Sequence, residues 1–468
     1  MGIVRRDTPP EIVVPVLIIG GGACGLTTAL AAHDAGAEVM VLERDASPSG
    51  STALSSGFIP ACETRWQSAR DVDDSVALMV SDIQAKNHGD GDVDLAEAVA
   101  RASGPTLEWL ADAHGQEFVL LDGFLYPGHS RLRMHAHPDK TGEALVTSLL
   151  EAVSGAGIDV VTSAQVTDLI VTAEDRAVGV VITRPDGEVE EIGCEALILA
   201  CNGYGGNPEM VKAHIPEMAD ALYFGHAGNQ GDAIRWGGAL GALPLHMGAY
   251  QGHGSVAHPH GVLITWALMM EGGIQVNADG RRFSNEHEGY SEQSVKVLAQ
   301  PGGVAWNLYD ARLHEMGLGF EDYRRAVEMG AIKRIASVEA LAEMIGCPVE
   351  ALSETLENTR QLAGGAKADP FGRDFTGAPT LAGPPFHVVK VTGALFHTQG
   401  GLAIDTAARV LRADGTALPN LFAGGGAAVG VSGTGVEGYL SGNGLLTAFT
   451  LGRIAGQSAA ELVKGETT

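Results

Sequence analysis

Residues 14–25 read Val-Pro-Val-Leu-Ile-Ile-Gly-Gly-Gly-Ala-Cys-Gly. The first six are a short, unbroken apolar run, the pattern of a strand buried on both faces. The last six are a G-x-G-x-x-G built from Gly20, Gly22 and Gly25, with Ala23 and Cys24 inside it. Leu26 to Ala35 then has helical composition, and Glu38 to Leu42 is a second apolar strand ending at Glu43, eighteen residues beyond Gly25. Strand, glycine turn, helix and strand make one βαβ unit. The glycines allow a tight turn and close approach of a pyrophosphate to the amide end of the helix, and an acid at Glu43 is placed to hold ribose hydroxyls. Because the fingerprint sits between a strand and a helix, it predicts a dinucleotide seat.

The rest of the chain agrees with a large ligand in a globular protein. Its 468 residues are 45% hydrophobic, enough for two domains with a substantial core. Glycine numbers 64, about twice the usual share, and gathers at Gly20–Gly22, Gly205-Gly206, Gly400-Gly401 and Gly424–Gly426, where a backbone turns sharply or comes close to something. Thirty Lys and Arg against 57 Asp and Glu give a formal charge of −27, a field that repels nucleic acid and anionic lipid. The five cysteines, Cys24, Cys62, Cys194, Cys201 and Cys347, are scattered and form no C-x-x-C, which predicts a reducing cytoplasm and no zinc site. Val13 to His33 carries no Lys, Arg or acid, yet four glycines and the upstream Pro9-Pro10-Glu11 argue against a signal peptide or membrane span.

Further strands are expected as a pair around 158–161 and 168–172, as a hairpin over 178–183 and 188–192, and at 196–200 and 421–423. A closing helix is expected over 444–463. The predicted fold is α/β: a discontinuous Rossmann-like nucleotide-binding domain, 1–224 and 387–468, with an inserted α+β cap over 225–386.

The choice of FAD comes from a resemblance. Arg44 to Gly57, Arg-Asp-Ala-Ser-Pro-Ser-Gly-Ser-Thr-Ala-Leu-Ser-Ser-Gly, resembles the FAD-binding proteins of the fumarate reductase, succinate dehydrogenase and 3-ketosteroid dehydrogenase superfamily. Six further motifs run in order along nearly the whole chain: Leu197-Ile-Leu-Ala-Cys-Asn-Gly203, Asn229-Gln-Gly-Asp232, Gly280-Arg-Arg-Phe-Ser-Asn-Glu286, His397-Thr-Gln-Gly-Gly401, Leu421-Phe-Ala-Gly-Gly425 and Gly452-Arg-Ile-Ala-Gly456. The resemblance implies Ser51 and Thr52 at the pyrophosphate, Ala53, Leu54, Ser55, Ser56 and Gly57 along the flavin ring, and Val166 at the adenine. It places Arg44, Asn202, Gly203, Asp232 and Gly425 near the cofactor and Leu445 and Leu446 at the pyrimidine edge. Relatives with covalent FAD carry His where this chain has Ser51, so non-covalent FAD is expected. Gly425 and Gly426 stand where many relatives have Glu.

At two positions where fumarate reductases hold a dicarboxylate with arginine, the alignment puts Tyr290 and Tyr439. A phenol offers one donor and no charge, so it cannot replace a guanidinium for a carboxylate. The pattern looks like ketosteroid dehydrogenases and related cyclic-ketone desaturases. That resemblance implies Tyr439 plus an amide in 441–444 as an oxyanion hole, Tyr290 as the acceptor of the α-proton, and hydride transfer from the β-carbon to flavin N5. Ser441 is a candidate assisting hydroxyl and His397 a candidate substrate contact. The partners expected are a cyclic ketone and an external electron acceptor or donor. Rival readings are an enone or enoate reductase of the same fold and a flavoprotein without catalysis. His246, His253, His258 and His260 read as cap loop residues rather than metal ligands, and Arg131, Arg133, His135 and His137 as one solvated face of a strand.

Overall fold

The strand Val13–Ile19 forms where the apolar run predicts it, with Val16, Leu17 and Ile18 fully buried. In the computed structural model, which describes residues 2–365, 367–375, 381 and 383–467, it lies inside a nine-stranded sheet. Val39–Leu42 and the long strand Val189–Leu199 flank it, both parallel to it. The next strand, Ala417–Ala423, runs parallel to Leu197–Leu199 on the far side. Both faces of this parallel centre need cover, and this is why its strands are continuously apolar.

One cover is the helix Ala23–Asp34, whose first ten residues are all buried. It sits close to its own strand because Gly25 has no side chain: a Cβ there would run into the Gly20 carbonyl oxygen. The closing helix Asn443–Thr467 packs on it in the same way, since a Cβ at Gly452 would lie 2.7 Å from the Cys24 carbonyl oxygen. The two helices run side by side, with Gly456 likewise packed on the Thr28 carbonyl, and Ala23–Asp34 leaves its first-turn amides beside the glycine turn without intrahelical partners.

Two expectations need correction. The strands near 158–161 and 168–172 are not partners: Asp159–Val161 pairs with Val39–Leu42 at one edge, while Gln165–Val171 pairs with Ala177–Thr183 and Gly2–Arg5 toward the other. The second arm of the hairpin and the separate strand expected at 196–200 are one strand, Val189–Leu199. Its first half pairs antiparallel with Ala177–Thr183 and its second half parallel with Val13–Ile19.

A second, seven-stranded sheet forms the cap. Its central strand, Phe386–Thr398, hydrogen-bonds to Tyr250–Ala257 on one side and to Val304–Tyr309 on the other. The boundary expected at 386/387 falls at the start of this strand, which continues across the sheet to Thr398. The helix Tyr290–Leu298 lies on this sheet at three glycines. A Cβ at Gly252, Gly254 or Gly393 would meet Ser294, Gln293 or the Ser294 carbonyl. That close seating fixes where the helix begins, and therefore where Tyr290 points. Among the described residues no helix is long and apolar enough to cross a membrane.

Candidate active site

A cavity of about 510 Å³ runs from the glycine turn of the first sheet to the cap. At its nucleotide end Gly20, Gly22, Ala23 and Cys24 line it, and a Cβ on Gly22 would find no atom nearer than Thr52 Oγ1 at 3.5 Å. The turn is thus an open cradle at a helix N-terminus, the geometry a pyrophosphate needs. Thr52 Oγ1 accepts the Ala23 amide at 3.1 Å, and Glu43 accepts the Gly21 amide at 2.7 Å, so the loop 50–56 and the second strand brace the turn. Arg44 donates to the Gly228 carbonyl at 2.6 Å and to Asp232 at 3.3 Å. Ser51 accepts from Asn202 at 3.1 Å and from Asn229 at 2.8 Å. Ala53, Leu54, Ser55, Ser56, Val166, Gly425 and Leu445 complete this wall. The backbone at Gly426 comes so close to Asn202 that a Cβ there would collide with its amide oxygen, so no acidic side chain could stand at 426 with Asn202 where it is. These features fit FAD.

The cap end is aromatic. Tyr290 and Tyr439 meet edge to face with ring centroids 6.1 Å apart, and Tyr439 packs into the cap's hydrophobic cluster although it follows the cap in sequence. His253 stacks on Tyr290 at 4.8 Å with only 20° between the rings, and Trp266 and Phe396 pack on His253. His397 stands edge-on to Tyr439 at 5.8 Å. Its ring also touches the start of the closing helix, since a Cβ on Gly444 would lie 2.6 Å from His397 Nε2.

The buried rings that meet at this end, Tyr126, Tyr290, Tyr439, His253 and His397, are neutral at pH 7. Burial pushes Tyr290 up to about 12, against the opposing pull of the Ser441 and Tyr439 hydroxyls and the Gly442 amide. Burial also raises Tyr439 and Tyr126 well above an ordinary phenol. Burial pushes His253 down to about 3 and His397 down to about 4. The neutral His253 accepts the Ser255 amide at Nδ1, 3.1 Å, so its proton sits on Nε2. His397 Nδ1 lies 3.1 Å from Gln399 Nε2 and 3.3 Å from the Thr398 carbonyl oxygen, and Gln399 is itself held by Ser432, which accepts from Asn443. Among these groups the site presents the phenols of Tyr126, Tyr290 and Tyr439, the His253 Nε2–H, the His397 imidazole and the backbone at Gly442 and Gly444, and none of them is a cation. Arg324 and Arg325, both exposed, also line the cavity, beside Glu321 and Asp322.

Several residues expected at the site stand behind it. Gly25, Gly57, Gly203 and Leu446 do not line the cavity. Gly25 packs on Gly20, Gly57 on Thr141 and Gly203 on Thr398, while Leu446 is fully buried in the core. Ser441 is also behind the wall, with its hydroxyl between the Pro127 carbonyl at 3.3 Å and the Tyr290 phenol.

The solvated face expected at 131–137 holds at Arg131, which is exposed, and is corrected at Arg133 and His135, which are buried. Arg133 is buried and doubly bonded to Asp74 at 2.7 and 2.8 Å, with Asp82 as a further partner. His135 is buried against Thr64 at 2.8 Å, and neither residue lines the cavity. Alternation was a poor guide because the local strand is only three residues, Met134–Ala136.

His253, expected in a cap loop, lies instead in the strand Tyr250–Ala257 and faces the site. Trp266, Phe224 and Phe396 also escaped the sequence reading, because their meeting depends on pairing between distant strands. Among the described residues no group of three His, Cys, Asp or Glu could hold a metal.

Comparison with known proteins places this architecture. A family model described as an FAD binding domain matches residues 15–445. The protein named "Probable fumarate reductase Ifc3" of Shewanella frigidimarina is 30% identical over 458 residues, covering 97% of this chain and 76% of that one. The 4-oxocyclohexanecarboxylate 2-dehydrogenase of Sinomonas cyclohexanicum is 25% identical, with 97% and 94% covered. The solved 3-ketosteroid-Δ4-(5α)-dehydrogenase of Rhodococcus jostii RHA1, in complex with 4-androstene-3,17-dione, superposes with a TM-score of 0.77 at 25% identity over 98% of this chain and 99% of that one.

Proposed function

Since the chain belongs to the FAD-binding-domain family and is an FAD-dependent oxidoreductase acting on CH–CH groups, we propose that its substrate is a cyclic ketone, dehydrogenated at the α and β carbons. One observation carries the reading: the two phenols, Tyr290 and Tyr439, meet edge to face among buried neutral rings, where a dicarboxylate would need guanidinium groups, and the arginines on the cavity wall, Arg324 and Arg325, are exposed. A ketone oxygen has one acceptor centre and gains negative charge only as the α-proton leaves. The Tyr439 hydroxyl and the Gly442 or Gly444 amide, all on the cavity wall, answer that need. Bound FAD supplies the acceptor for the β-hydride. The aromatic walls of Trp266, Phe224 and Phe396 suit a ring. Ser51 offers no ring nitrogen for attachment and is occupied by Asn202 and Asn229, which supports non-covalent FAD. All five cysteines are free, which agrees with a cytoplasmic protein.

Anaerobic mixing of the FAD-loaded protein with steroid ketones, cyclohexanone-type ketones and cyclic keto acids tests the proposal. Bleaching of the flavin band by one class supports it and sizes the ring; no bleaching by any class sinks it. Tyr439→Phe is expected to keep its flavin and lose about a hundredfold or more in the rate of bleaching, because one donor to the developing enolate oxygen is gone. An unchanged rate removes Tyr439 from the chemistry.

One observation favours the opposite direction, reduction of an enone by electrons from an external donor. With its phenol pushed up to about 12, Tyr290 holds its proton at neutral pH and is ready to give it to an α-carbon. The sign follows directly: taking a proton requires the phenolate, whose fraction rises with pH, whereas giving one requires the phenol, which is full until pH approaches 12. Bleaching by ketone should therefore rise by up to about tenfold per unit through roughly pH 7 to 10, while reoxidation by an enone stays flat. A flat ketone profile would mean that Tyr290 is not the proton acceptor.

A further inference from the structure

Behind the oxyanion side of the pocket lies a buried polar column that does not touch the cavity. Arg133, fully buried, is held by Asp74 and Asp82. Its Nη1 lies 3.5 Å from His129 Nδ1, and His129 Nε2 lies 2.8 Å from the carbonyl oxygen of Ser441. A carbonyl only accepts, so Nε2 carries the proton, and Nδ1 is left to accept from the guanidinium. Direction is thus fixed along the column, from arginine to imidazole to peptide.

The peptide at the end of the column joins Ser441 to Gly442. It is trans, and in a trans peptide the C=O and the next N–H point in opposite directions. A carbonyl drawn back toward His129 turns the Gly442 N–H forward, toward the cavity that Gly442, Tyr290 and Tyr439 all line. The turn needs glycine: Gly442 has φ +85°, and a Cβ there would press 2.5 Å from Pro60. Without side-chain restraint such a residue has wide backbone freedom, so something else must hold the plane.

We propose that His129 is a positioning residue that locks the Ser441–Gly442 peptide so that the Gly442 amide serves as the second oxyanion donor beside Tyr439. Its role in turnover rests on the ketone reading above; the orientation of the amide does not.

The test uses the FAD-loaded protein and two probes of one ring size, 4-nitrophenolate and 4-nitroanisole, with binding followed by flavin difference absorbance. The anion reports the oxyanion donors and the ether reports the pocket. Wild type is expected to prefer the phenolate. His129→Leu should lose about tenfold or more of that preference while binding the ether unchanged, and His129→Gln, whose amide nitrogen reaches the same point, should restore it. If the leucine variant does not fold, His129→Asn, polar but one bond too short, takes its place. Equal phenolate preference in wild type and in the leucine or asparagine variant overturns the inference, as does a wild type with no preference. Failure of wild type to bleach with any ketone, with the phenolate pattern as expected, would strike the ketone reading and leave the lock standing.

Discussion

Tyr290→Phe is expected to lower the rate of flavin bleaching by a cyclic ketone by about 10²- to 10⁴-fold, the range that a positioned proton-transfer group contributes. The variant should otherwise look normal. Ring stacking on His253 and the edge contact with Tyr439 use the aromatic carbons and survive loss of the hydroxyl. The helix Tyr290–Leu298 is seated by Gly252, Gly254 and Gly393, not by the phenol oxygen. FAD content and ketone affinity should therefore change little, and the loss should appear in the rate of the chemical step. The rise of the rate with pH should vanish as well, since the phenol whose ionisation sets it is gone. A variant that bleaches at the wild-type rate would show that the proton leaves by another route. Rapid anaerobic mixing across pH reads both effects at once.

How far the sequence reveals this site depends on how local each part is. The nucleotide end is made by residues 20–25 and 43–56, near in sequence, where strand, turn and helix dictate one another; its contacts to the Gly21 and Ala23 amides arise within that unit. Tyr439 and Tyr290 were legible only through alignment with a family pattern, because nothing in the composition of either segment sets them apart from packing tyrosines. His253 was not legible. It reaches Tyr290 because the helix Tyr290–Leu298 seats on Gly252 and Gly254 of the strand Tyr250–Ala257, a contact between distant segments that is written in no local motif. The 131–137 segment was misread for a related reason: Arg133 is buried by Asp74 and Asp82, two acids on earlier segments, so its alternation with His135 says nothing about solvent. Local chemistry exposes the cofactor seat, and tertiary pairing hides the substrate seat.

The strongest consequence for the cofactor end is that Gly22→Val should yield a folded protein without FAD. At this position a Cβ meets no atom nearer than Thr52 Oγ1 at 3.5 Å, so the added side chain has room in the apoprotein and should not break the fold. The room it takes is the cradle itself. Two methyl groups would then stand over the free amides at the start of Ala23–Asp34, where the pyrophosphate must approach within hydrogen-bonding distance. Gly25→Val is the contrasting case: its Cβ would collide with the Gly20 carbonyl, so that variant should be lost to misfolding rather than to empty binding. The measurement is the ratio of flavin to protein absorbance after purification, read beside the thermal midpoint without added FAD. Acid denaturation of wild type should release its flavin into solution, as expected for Ser51 in place of an attaching histidine. A yellow Gly22→Val protein would mean that the nucleotide does not lie on this turn, and every assignment from Glu43 to Leu445 would have to be redrawn.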